Sequence, residues 1–252
     1  MSGTVEETTS LEAIADLVFV IPVHVRAQLL QRFDQLGTRE QLLLKLASVV
    51  GLTAQRSILL ALFHERSMAL RPPVSSPSEV VPSEVDVKAS AASLDEGLEL
   101  LRKQGFLKPF LRKAATDLDD EDWVFENAQV KFLVYNQMLH NDRKAVHNAV
   151  LSWYEKNPNV RRDDPSLLGN HAMGAERIDV AFRCFKEGLV RAIIKDEPVH
   201  KALGLWHACS DILDDPEGFA RHGFSEERIS VSATRALCSF LFAPYETNGC
   251  FA

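Results

Sequence analysis

Trp123-Val-Phe-Glu-Asn-Ala128, followed by Gln129–Leu139 and His140–Tyr154, is the stretch whose periodicity decides the fold. Trp123–Phe125 reads as a short strand. Val130, Leu133, Val134, Gln137 and Met138 then recur at helical spacing, and Phe132 with Tyr135 widens the apolar face. His140, Asn141 and Asp142 interrupt the pattern and supply capping groups for the next helix. That helix is expected to carry Ala145, Val146, Ala149, Val150, Trp153 and Tyr154 inward before Asn157-Pro158-Asn159 stops it. No catalytic group stands out in this stretch. It is a structural arm.

Towards the N-terminus, residues 1–20 form a leading segment whose first ten residues are small, polar and acidic. From His24 a helix carries Val25, Leu29, Leu30, Phe33 and Leu36 on one face, and Gly37 closes it. Thr38 with Gln41 has the spacing of a capping box for a second helix, striped by Leu42, Leu43, Leu46, Val49 and Val50. A third helix is expected from near Thr53, with Ile58, Leu59, Leu62 and Phe63. Residues 71–92, rich in Pro, Ser and Val without period, read as a flexible insertion. Ser93 then caps a helix bearing Leu94, Leu98 and Leu101, ended by Gly105. Phe106–Leu111 and Trp123–Phe125 are apolar enough for two strands joined by the acidic run Asp117–Asp122. Helices followed by a two-stranded ribbon are the order of a winged helix, so residues 21–156 are expected to be a winged-helix-like domain with a small two-stranded wing.

Beyond Asn157 the character changes. Leu167–Ala175, Ile178–Ile194, Val199–Leu213, Phe219–Phe224 and Ile229–Phe242 read as helices punctuated by Gly, Asp or Pro. Paired helices rich in small residues point to tetratricopeptide-like helical hairpins over residues 160–252. The chain stops without an obvious polar cap, so this end is expected to be a truncation or an interface. The fold class expected is therefore mainly α.

Bulk properties exclude several function classes. The net charge of −7 disfavours broad affinity for nucleic acid phosphates. No apolar run approaches the roughly 20 residues of a membrane helix, and the start carries no signal-like apolar stretch. The four cysteines, Cys184, Cys209, Cys238 and Cys250, lack a C-x-x-C spacing and read as reduced thiols, which makes a cytoplasmic location the default expectation.

Three segments in order carry a resemblance: Ile21-Pro-Val-His-Val25 with Gln31–Leu36 and Gln41–Gly51, then Ser93–Phe106 with its Leu-Arg-Lys-Gln-Gly-Phe ending, then Phe125–Tyr154 with Tyr135 and Asp142-Arg-Lys-Ala-Val-His147. Together they resemble the region after the ATPase core of signal-transducing NTPases, nearest to the C-terminal region of the soluble adenylyl cyclase (type 10) family and related cyclase–ATPase proteins. The resemblance covers roughly residues 20–215. It implies a winged helix followed by tetratricopeptide-like repeats, with a role in cyclic-nucleotide signalling. The family's cyclase domains and P-loop ATPase have no counterpart in this sequence, so no catalytic or nucleotide-binding residue is carried over. A fragment of an adenylate cyclase whose catalytic domains are missing is the catalytic alternative.

Other chemistry weighs little. Gly169-Asn-His-Ala-Met-Gly174 has phosphate-loop glycine spacing but is followed by Ala175 and Glu176 instead of Lys and Ser/Thr, and reads as a helix-hairpin turn. His140 and His147, like His200 and His207, stand two helical turns apart, too far for one metal. Cys184 and Cys209 could approach His207 across a hairpin, but isolated thiols are the commoner outcome. No cofactor and no metal are expected. DNA binding is a rival function for a winged helix, yet the helix before the wing carries Asp95, Glu96 and Glu99 against Arg102 and Lys103. The sequence favours a non-catalytic arm that docks on a protein partner or on the ATPase/cyclase core of a longer parent chain, with no nucleic acid and no membrane. The surface expected to do so is an exposed groove near Phe182, Phe185, Leu205 and Trp206, residues that equally suit a repeat-to-repeat core.

Overall fold

The computed structural model describes residues 22–69, 84–110, 122–157, 165–195 and 197–214. The fold is mainly α. The described residues fall into two compact units, 22–157 and 165–214. The leading segment, residues 71–83 of the expected insertion, most of the acidic run and the two helices expected after Asp214 lie outside the described residues.

In the first unit, α1 (Val23–Asp34), α2 (Thr38–Val50), β1 (Thr53–Gln55), α3 (Arg56–Ala69), α4 (Glu84–Lys103), β2 (Leu107–Phe110), β3 (Asp122–Phe125), α5 (Ala128–Asn136) and α6 (His140–Lys156) follow in order. Helix α2 is the centre. Leu43, Leu44, Leu46, Ala47, Val49 and Val50 are all buried, so apolar residues occupy most of its circumference. A helix of that composition needs neighbours around it, and α3, α4, α5 and α6 all pack on α2.

Several local expectations are corrected here. The third helix does not begin near Thr53. Thr53–Gln55 is a strand, antiparallel to β3 with Ala54 opposite Trp123, and β2 flanks β3 on the other side. The expected two-stranded ribbon is present as β2 and β3, and β1 adds a third strand to it, in the order β1-β3-β2. Residues 84–92 are helical, so Ser93 lies inside α4 and caps nothing. Ala89, Ala91 and Ala92 give this part of the segment strong helix propensity. Thr38 and Gln41 form no capping box. Gln41 instead reaches back to the carbonyls of Phe33 and Leu36, closing the α1–α2 turn at 3.3 and 3.2 Å.

Gly105 ends α4 in the left-handed region at φ 69°, and the Phe106 amide donates to the Leu101 carbonyl at 3.0 Å. Arg32 of α1 donates to the Gln104 carbonyl and lies 4.9 Å from the Phe106 ring centroid, which fastens α1 to that turn. Asn127 caps α5 by accepting from the Gln129 amide at 2.8 Å. On α6 the buried stripe is Val146, His147, Val150, Leu151 and Tyr154. Ala145, expected inside, is exposed, and His147 takes an inner position.

The second unit holds α7 (Pro165–Gly174), α8 (Ile178–Ile194) and α9 (Val199–Asp214), with α8 packed on both others. Gly169 lies within α7, not at a hairpin turn. The turn is Ala175–Arg177, where the Arg177 amide donates to the Ala172 carbonyl at 2.8 Å. A Cβ at Gly169 would stand 2.3 Å from one carbon of the Phe185 ring and 2.5 Å from the next. The ring is buried and has nowhere to go. Gly169→Ala is therefore expected to destabilise this unit by about 1–3 kcal/mol through overpacking, in spite of a helix-propensity gain of up to about 1 kcal/mol. Urea denaturation checks this; an unchanged or raised midpoint would contradict the close α7–α8 approach.

Candidate functional site

The groove expected at Phe182, Phe185, Leu205 and Trp206 is not open. The structure brings all four residues into the second unit, and all four are buried. Phe185 packs against Gly169, and a Cβ at Gly188 would lie 3.4 Å from Leu205. The reason is geometric. Ala181, Phe182, Phe185, Leu189 and Ala192 share one side of α8, and α7 and α9 cover it.

The opposite side of α8 is the exposed one. At about 100° per residue, Arg183, Lys186, Glu187, Val190 and Ile194 fall within one sector about 100° wide, roughly opposite the core residues. Its first half is charged: Arg183 pairs with Asp179 at 3.1 Å, and Arg191 with Glu187 at 3.1 Å on the flank. Its second half is apolar where water should meet polar groups. Val190, Ile193 and Ile194 are 46, 38 and 77% exposed. Arg183, Lys186, Glu187, Val190, Arg191, Ile194 and Lys195 line an open depression there. The sequence does carry a signal for this surface. Leu189, Val190, Ala192, Ile193 and Ile194 spread apolar residues over more than half of the circumference of the last turns of α8, beyond the side that α7 and α9 cover, with Arg191 on the remaining arc.

A second cluster lies between α5 and α6. Tyr135 and His147 approach through the hydroxyl and Nε2 at 3.1 Å, and the Arg143 guanidinium stands 4.9 Å from the Tyr135 ring centroid. Burial, then the charges of Arg143 and Lys131, push the His147 imidazole down to about 4. In a neutral imidazole Nε2 accepts a hydrogen bond from the Tyr135 hydroxyl when the ring proton is on Nδ1, and donates to the hydroxyl oxygen when it is on Nε2. Burial also raises the Tyr135 hydroxyl, with Arg143 opposing. The pair is a latch between two helices.

Among the described residues, the two cysteines offer no reactive centre; Cys238 and Cys250 lie outside the described residues. Cys209 is buried, and Cys184 is half-buried with its thiol pushed up by burial and Glu187. Among the described residues, no three His, Cys, Asp or Glu side chains come together as a metal site would need. No described helix is long and apolar enough to cross a membrane.

On α4, Asp95, Glu96 and Glu99 are exposed together with Leu100, Arg102 and Lys103. Arg56 holds Asp95 through two bonds of 2.8 Å, and Arg102 holds Glu99 at 2.9 Å. No family model, no curated protein and no solved structure matches the chain.

Proposed function

We propose that this chain is a non-catalytic regulatory arm that binds protein, of the kind that follows the ATPase core in soluble adenylyl cyclase-like signal-transducing NTPases. The observation that carries the proposal is the outer side of α8, where exposed Val190, Ile193 and Ile194 sit between charged residues. Apolar side chains grouped in this way on a surface suit a protein contact. The first unit supports the same class. Helix, strand, two helices and a hairpin, with strand order β1-β3-β2, are compatible with a winged helix, and α7–α9 with one and a half tetratricopeptide-like hairpins. In such a domain α4 would be the helix offered to a DNA groove. Its exposed carboxylates suit a protein partner or an ATPase/cyclase core better than phosphate. The arm would act in the cytoplasm by biasing the conformation of what it binds.

Fluorescence anisotropy with a labelled 20-base-pair duplex and with a labelled ATP analogue tests the class. The expected result at about 150 mM salt is no saturable binding of either. Duplex binding that survives this salt would replace the proposal by a DNA-binding winged helix. Tight nucleotide binding would replace it by an ATP-binding role.

A further inference from the structure

We draw no further inference here: the strongest candidate, the exposed apolar patch of Val190, Ile193 and Ile194 on the outer face of α8, belongs to the surface already described, and nothing in the structure shows what covers it.

Discussion

Phe182→Ala is expected to lower the stability of residues 165–214 by about 3–5 kcal/mol, the range for truncating a fully buried aromatic ring. Phe182 is 1% exposed, and with Phe185, Leu189 and the α9 residues Leu205 and Trp206 it belongs to the core of the α7–α9 unit. The unit is small, so a loss of this size removes much of its stability, typically about 5–15 kcal/mol for a whole domain. Hydrogen exchange read over α7–α9 shows the result directly: amides protected in the parent should exchange in the variant, while α2 keeps its protection. A residue lining an open groove would behave differently. Its truncation would leave protection unchanged and affect only partner binding, and that outcome would return Phe182 to the surface.

The second large effect is a pH dependence from the Tyr135–His147 latch. His147 is 7% exposed, and its imidazole is held at about 4 by burial first and by Arg143 and Lys131 second. In the unfolded chain the same group titrates near 6.5. Between these values the unfolded state binds more protons, so stability rises with pH across the window. The contribution is fully present above about pH 6.5 and is lost progressively as pH falls to about 4, amounting to about 3 kcal/mol at most. His147→Gln keeps a polar partner for the Tyr135 hydroxyl and removes the titration. Urea midpoints of parent and variant between pH 4 and 7 should therefore diverge, the variant losing less stability on acidification. Parallel curves would mean that His147 titrates normally in the folded protein.

The boundaries of α7, α8 and α9 are legible in the sequence because Pro, Gly and Asp punctuate strongly periodic runs, and punctuation and period agree there. Strand β1 is not legible. Thr53-Ala-Gln is three residues long and runs straight into α3, and only its pairing with β3, some 70 residues away, makes it a strand. The early start of α4 is hidden because the valines and acids of 84–88 continue the composition of the segment before them, and the alanines that favour helix come only afterwards.

The functional surface shows where periodicity stops informing. Spacing groups Phe182, Phe185, Leu205 and Trp206 correctly, but it does not say whether a grouped face is open or covered. Covering α8 from two sides requires the close approaches at Gly169 and Gly188, which are properties of three helices together. His147 escapes for a different reason. A histidine among Val146, Val150 and Leu151 looks like an interruption of the apolar stripe, and only the approach of Tyr135 shows that the interior accommodates it.

The most direct test of the protein-binding role is site-specific photocrosslinking in the native cell, with a benzophenone side chain replacing Ile194 and, as a control, Glu126 in the first unit. The expected result is a discrete protein adduct from position 194 that is absent from position 126. Adducts only to nucleic acid or lipid, or equal labelling from both positions, would contradict a protein-binding arm whose contact surface is the outer face of α8.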